Sequence, residues 1–380
     1  MKLKTEPYVI NVGPQHPSTH GVFRLRLTMD GEKIIDAEMI IGYLHRSMEK
    51  LAEERTYTQN IPFTDRTDYI AAMTGNLAYV MAVEKLMEIE VPERANWLRT
   101  IMAELQRLAS HAMAGGTFAN DCGTWQTPVM HMIRDREKVL DLFEMACGAR
   151  LTTNYMRIGG VSRDIPPEFL PAMTKLLKEL PDRIDEYEDL LLNNEIIIAR
   201  SRGIAVLTPE EAIAYSLSGP MLRGSGVAWD LRKADPYAAY DKVEFDIAVG
   251  TKGDAYDRFA VRMAEMRQSV RILEQCAEMI PEGPIHARLQ TATVQPIGNP
   301  VAPLVVRPPE GEAYARIESP RGELGFYIVS DGGPSPYRFH IRAPSYINLT
   351  PLKKMTVGMT VADAVVVLGS VDIVVGEVDR

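Results

Sequence analysis

The sequence predicts an α+β protein, with a central multi-helix bundle, an N-terminal β-meander and a small C-terminal β-containing region. Three observations carry this prediction. Residues 1–43 alternate apolar and polar side chains between turn signals. Residues 44–202 and 251–281 hold long runs with apolar residues at helical spacing. After position 313, short β-rich runs return between Gly-containing turns.

The meander comes first. Tyr8 to Val12 is β-rich, and Val22-Phe23-Arg24-Leu25-Arg26-Leu27 alternates as a half-buried strand does. Asp30-Gly31 marks a tight turn before a third strand, Ile34 to Ile41. Between the first two strands lies Gly13-Pro14-Gln15-His16-Pro17-Ser18-Thr19-His20-Gly21, which holds two of the chain's seven histidines. The prolines fix φ, Gly21 permits an unusual backbone angle, and the imidazoles exchange protons near neutral pH. Pro, Ser and Gly also build ordinary turns, so the loop alone leaves both readings open.

Residues 44–202 read as the first part of the bundle. Helices are expected over His45 to Arg55, Tyr69 to Ile89 and Glu93 to Ala114, the last with Trp97, Ile101, Leu105, Leu108 and Ala112 on one face. Arg134 to Ala149 and Pro166 to Asn193 follow, with Pro171 and Pro181 signalling kinks or a break. Residues 203–250 read as an inserted strand and loop region, with Val243 to Val249 strand-like. Residues 251–281 bring the last bundle helix, Asp257 to Met279, with Phe259, Met263, Met266, Val270 and Leu273 inward. Residues 282–312 hold six prolines and form a connector. Residues 313–380 are the C-terminal β region and tail, with strands at Ala313 to Ile317, Gly325 to Val329 and Tyr337 to Ile341. Val361 to Leu368 is a helix or a buried strand.

Composition narrows the function. A net charge of −9 with no basic arm disfavours nucleic acid, whose phosphates need a basic face. No apolar run reaches the ~18 residues of a membrane helix, and the N-terminus lacks a signal-peptide core, which points to the cytoplasm. Cys122, Cys147 and Cys276 form no CxxC pair, so a disulfide framework or a cysteine-held cluster within this chain is not expected. The twenty methionines suit adaptable packing in a large helical core.

Several segments, in one order along nearly the whole chain, resemble the 49 kDa, or D, subunit family of respiratory complex I. They include Gly13 to Gly21, Gly42-Tyr43-Leu44-His45-Arg46, Asp65-Arg66-Thr67-Asp68-Tyr69, Val83-Glu84-Lys85-Leu86 and Arg157-Ile158-Gly159-Gly160-Val161. They continue with Leu222-Arg223-Gly224-Ser225-Gly226, Gly322-Glu323-Leu324-Gly325 and Gly376-Glu377-Val378-Asp379-Arg380. That family is similar in turn to the large subunit of nickel-iron hydrogenases, whose metal is held by two CxxC pairs. Here the corresponding positions fall near Asp68 and Ala71 and on Val374 and Glu377, without sulfur, so a soft-metal site of that type cannot form.

The resemblance implies a hydrogenase-like fold whose former metal cavity serves a quinone, menaquinone or ubiquinone, in a proton-translocating NADH (or other donor):quinone oxidoreductase. It implies the phenol of Tyr69 and the imidazole of His20 on opposite sides of the headgroup, with Asp121 partnering His20, and Arg66 beside the terminal 4Fe-4S cluster of the B subunit. It further implies the C and I subunits and the membrane H subunit with its proton-pumping arm as partners. NAD would be bound by other subunits, and the chain would be peripheral on the cytoplasmic side of the cell membrane. His16, His45 and His111 are read as structural. Two departures stand out. Where many members carry a titrating histidine near the cluster, this chain has Leu151, Thr152 and Thr153, which implies a cluster potential that varies little with pH. The 282–312 segment is also shorter than the family's usual one. The alternatives are a hydrogen-activating enzyme, against which the missing CxxC pairs speak, and a metal-free scaffold in a membrane redox complex.

Overall fold

A computed structural model describes residues 6–16, 20–124, 127–287, 294–296 and 304–380. Strands β1 (Tyr8–Val12), β2 (Arg24–Asp30) and β3 (Lys33–Ile40) form an antiparallel sheet in that order. In β2 the side chains of Leu25, Leu27 and Met29 are buried while those between them face outward, as period-two alternation requires. Of the His-containing loop, Pro17 to Thr19 lie outside the described residues.

The bundle begins with α1 (Met48–Glu53), α2 (Tyr57–Asp65), α3 (Ala72–Met87), α4 (Glu93–Asp121) and α5 (Thr127–Cys147). Helix α2 falls where no helix was expected. Pro62 hid it, yet a capping box between Thr56 and Gln59 starts the helix and satisfies its first orphan N–H groups. A two-residue hairpin, β4 (Met156–Arg157) and β5 (Gly160–Val161), precedes α6 (Phe169–Tyr187). Helix α6 continues through Pro181 and ends in a π-helical turn over Glu188–Leu192. A short helix, α7 (Glu195–Ser201), follows.

The inserted region corrects an expectation. Residues 203–250 hold three short α-helices, α8 (Pro209–Ala214), α9 (Pro220–Gly224) and α10 (Leu231–Ala234), a single 3-10 turn at Tyr240–Lys242, and no strand. Val243 to Val249 forms no ladder with a strand, and two of its N–H groups go to side chains instead. Glu244 N donates to Gln275 Oε1 at 2.8 Å and Asp246 N to Gln268 Oε1 at 2.9 Å, both on α11 (Ala255–Met279). These two groups are satisfied without a sheet, so β-like composition here does not require β structure.

In the connector only 282–287, 294–296 and 304–312 are described, with a short pair formed by β6 (Val294–Pro296) and β7 (Leu304–Val306). A second antiparallel sheet of β8 (Gly311–Ser319), β9 (Gly322–Ser330) and β10 (Arg338–Arg342) follows, in the order β10-β9-β8. Glu49 and Glu53 of α1 accept from the outer N–H groups of β10, Ile341 N at 3.0 Å and Phe339 N at 3.5 Å, which blunts this edge. The tail is helical: α12 (Pro344–Asn348), α13 (Leu352–Thr356), α14 (Val361–Val371) and α15 (Val375–Asp379). The open choice at Val361 thus resolves to helix, started by a Thr360 and Asp363 capping box.

Two cores result. The larger joins α3, α4, α5, α6 and α11 to the second sheet, with Tyr79, Phe326 and Phe339 mutually packed at centroid distances of 5.6 to 5.8 Å. The smaller packs the inner face of the meander, from Phe23 to Ala37, on the tail helices through Leu352, Val367, Val371, Val375 and Val378. Each fully buried Leu or Phe contributes about 1.5–3 kcal/mol of transfer free energy. The candidate site lies on the seam between these cores. Among the described residues, no helix is long and apolar enough to cross a membrane.

Candidate functional site at the seam between the two cores

Four chain segments meet at the seam. His20 ends the first meander loop, with a left-handed backbone (φ 54°). Asp121 is the last residue of α4, and Tyr69 sits in the turn between α2 and α3. The tail contributes Gly369, Asp372 and α15.

His20 Nε2 lies 2.7 Å from Asp121 Oδ2. Burial opposes the imidazolium, but the hydrogen bond and charge of Asp121, with a further contribution from Asp372, outweigh it and raise the His20 pKa above its usual value. Asp121 is held against Gly369 of α14: a Cβ there would overlap its Oδ2, so the helix crossing needs glycine at this point. Gly21 has φ 126° and rests on Val375, and the Tyr69 hydroxyl is 3.8 Å from where a Gly21 Cβ would stand. The Tyr69 ring in turn packs on Gly376, with Cε1 3.0 Å from the Cβ position. The backbone beside His20 therefore neighbours the Tyr69 phenol, while Asp121 fixes the imidazole from behind. Burial, then the charge of Asp68, raises the Tyr69 pKa, so the phenol is protonated at neutral pH.

Behind these groups is a buried ionic cluster. Arg321, from the turn between β8 and β9, donates through Nη1 to Asp68 Oδ2 at 2.6 Å and through Nε to the Asp372 carbonyl at 2.9 Å. Its Nη2 is 3.4 Å from Asp372 Oδ1, and Arg262 Nε is 3.8 Å from Asp372 Oδ2. Glu377 is fully buried, accepts from Ser345 N at 2.9 Å through Oε1, and has no hydrogen-bond partner on Oε2. Burial, then the neighbouring Asp68, pushes its carboxyl up to about 8. By sequence, Asp68 and Glu377 stand out only as places without cysteine, and Arg321 only as a turn residue. An Arg before Gly in a hairpin turn ordinarily faces water, so nothing in the local pattern signals burial. The donors at these positions are a carboxylate, alanine, valine and a glutamate, which do not fit a soft metal ion. Among the described residues, no group of three metal-capable side chains converges.

Arg66 stands apart from this set. It is exposed in the turn after α2, with Nη1 donating to the Pro62 carbonyl at 2.7 Å. Just before it, Asp65 is buried and accepts from Asn154 N at 3.3 Å, and burial pushes its carboxyl up to about 7. Sequence reasoning passed over this residue, because an Asp at a helix end reads as surface. Thr152 is exposed nearby in the chain and Thr153 is buried on Met73. His45 Nδ1 is 2.7 Å from the Asp379 carbonyl, anchoring the tail to the meander. His111 pairs with Glu265 at 2.8 Å inside the core, where burial lowers its pKa. A cleft of about 460 Å³ between α1 and the tail is lined by His45, Glu49, Tyr346 and Arg380 and includes neither His20 nor Tyr69.

The comparisons with known proteins agree on one family. Residues 121–380 match the family described as respiratory-chain NADH dehydrogenase, 49 Kd subunit. The chain is 56% identical over 380 residues to the D subunit of NADH-quinone oxidoreductase from Dehalococcoides mccartyi, covering all of both chains. It is 54% identical to the D 1 subunit of the same enzyme from Roseiflexus sp. and 52% identical to the D subunit from Desulforamulus reducens, again covering all of both chains.

Proposed function

From the membership of this chain in the family of the 49 kDa subunit of respiratory-chain NADH dehydrogenase, an oxidoreductase complex, we propose that its seam is where a quinone is reduced. The observation that carries the reading is the Tyr69 hydroxyl beside Gly21, the residue that follows His20, together with the hydrogen bond that holds His20 to Asp121. Reduction of a quinone to a quinol takes two electrons and two protons. The electrons come from the terminal 4Fe-4S cluster of the partner B subunit, and the protons come from the Tyr69 phenol and the His20 imidazolium.

Both groups fit this role. Each is a hydrogen-bond donor when protonated, and hydrogen bonds that strengthen as charge grows on the quinone oxygens favour the reduced state. Asp121 orients the imidazole and stabilises its cation, so proton loss to the quinol leaves a carboxylate without its counter-charge. That change of charge is the event coupled to proton translocation by the membrane arm. Arg66, exposed on the turn that carries Tyr69, faces the B-subunit cluster, where its cation raises the cluster potential. The C and I subunits and the membrane H subunit complete the surroundings. The quinone is menaquinone or ubiquinone, NAD is bound by other subunits, and the chain is peripheral on the cytoplasmic side of the cell membrane.

The test is Tyr69→Phe in the assembled complex, which removes only the hydroxyl. Quinone turnover should fall by roughly an order of magnitude or more, while the cluster's EPR signal and reduction of an artificial acceptor persist. Unchanged turnover would make Tyr69 a packing residue and favour a scaffold role.

A further inference from the structure

The cluster under the seam holds more carboxylates than cations. Asp68, Asp372 and Glu377 face two guanidinium groups, Arg321 and Arg262, and all five side chains are nearly or wholly buried. An unpaired charge in such surroundings is costly, and the group adjusts by taking a proton. Geometry selects which carboxyl takes it. Asp68 binds Arg321 through Oδ2 and accepts from Ile70 N and Ala71 N, each at 3.1 Å, through Oδ1, contacts that favour the anion against burial and the neighbouring Asp372, which raise its carboxyl. Asp372 has a guanidinium near each oxygen. Glu377 is in no ion pair, its Oε1 has one backbone donor, and its Oε2 has none.

We propose that Glu377 carries a proton in the resting protein and thereby sets the charge beneath both donors of the seam, acting as a positioning residue for proton transfer. This rests on the quinone reading above. The cluster touches both donors electrostatically: Asp68 and Arg321 act on Tyr69, and Asp372 and Arg321 act on His20. Gly376, next to Glu377, supports the Tyr69 ring. Loss of the Glu377 proton adds a negative charge beside Asp68, makes the phenolate harder to form and slows donation from Tyr69. The other groups facing this carboxyl leave it without a cation of its own. Arg321 from the β8 and β9 turn acts on it only at a distance, being engaged by Asp68 and Asp372, Arg262 from α11 lies on Asp372, and Ser345 from α12 offers its N–H and hydroxyl, which are neutral. On its own helix, Asp379 is bound elsewhere, to Gly42 N and Leu44 N.

The experiment compares the assembled complex carrying wild-type chain, Glu377→Gln and Glu377→Asp, by infrared difference spectroscopy and by quinone turnover from pH 6 to pH 9. The expected spectrum has a protonated-carboxyl C=O band at neutral pH that fades at alkaline pH and is absent from Glu377→Gln. With each protein's turnover taken relative to its own value at pH 6, the decline toward pH 9 is expected to be about 3- to 10-fold smaller in Glu377→Gln than in wild type. Glu377→Asp restores the steeper decline. A spectrum without that band in wild type means Glu377 is ionised and overturns the proposal. Superimposable pH profiles overturn the positioning role even if the band is found. If instead Tyr69→Phe leaves turnover unchanged, it is the quinone reading that fails, and the infrared band still reports the proton.

Discussion

His20 Nε2 and Asp121 Oδ2 stand 2.7 Å apart although 101 positions separate them in the chain. A loop of the meander and the end of the longest helix meet only because the tail helices pack under both, through Val375 below Gly21 and Gly369 beside Asp121. The pair therefore depends on the smaller core as well as on its own hydrogen bond.

The first prediction concerns that pair. Asp121→Asn removes the main charge that raises the His20 pKa, and burial then outweighs the smaller contribution of Asp372 and lowers it. The contribution of the pair to stability is present below the unfolded histidine value near 6.5 and is lost as pH rises through the raised folded value. In the assembled complex, quinone turnover at pH 7.5 should drop, and the alkaline fall in the pH profile should move to lower pH. A shift toward higher pH would exclude His20 as an acid.

A second prediction concerns stability. Glu84 of α3 accepts from Arg99 at 2.5 and 3.0 Å and from Gly159 N at 2.6 Å, all buried, and Arg99 also donates to the Gly160 carbonyl at 3.0 Å. Glu84→Ala strands the Arg99 cation and frees the β4 and β5 hairpin. The cost should be about 3–5 kcal/mol, as for other broken buried pairs, read as lost assembly or a lower denaturation midpoint. Exposed pairs such as Arg271 with Asp246 should contribute below about 1 kcal/mol.

Asp65 and Thr152 give a third. Threonine does not titrate, so under the proposed quinone-reducing function the potential of the partner's 4Fe-4S cluster should change by much less than the about 59 mV per pH unit of a one-proton, one-electron couple. A redox titration followed by EPR between pH 6 and pH 8 checks this. A full slope that disappears in Asp65→Asn would overturn the expectation and assign the coupling to Asp65. The same residue has a stability signature. Its folded pKa is raised to about 7, so the unfolded chain releases the proton first, and stability falls as pH rises from about 4 toward 7. Asp65→Asn should flatten that dependence.

Regular elements were legible wherever periodicity was strong. Strands β1 to β3 and β8 to β10, and helices α3, α4 and α11, follow from alternation or helical spacing that ties side-chain direction to local geometry. Helix α2 was hidden by Pro62, and Val243 to Val249 looked like a strand until α11 supplied its hydrogen-bond partners. The ordered family-like segments were legible too, from Gly13 to Gly21 through Gly376 to Arg380, and with them Tyr69, His20, Asp121 and Arg66 as candidate residues.

What the chain could not express locally is which charges share a buried space. Residue type and near neighbours were enough to specify the α+β architecture, the loop holding His20 and the lack of thiolates at Asp68, Ala71, Val374 and Glu377. Packing alone brings Arg321, a turn residue by pattern, onto Asp68 and Asp372 in the interior and leaves Glu377 near them in no ion pair. The reason is physical: desolvation and charge pairing are set by the packing of segments distant in the chain. An Asp or Arg has the same letter whether it faces water or a partner 2.6 Å away.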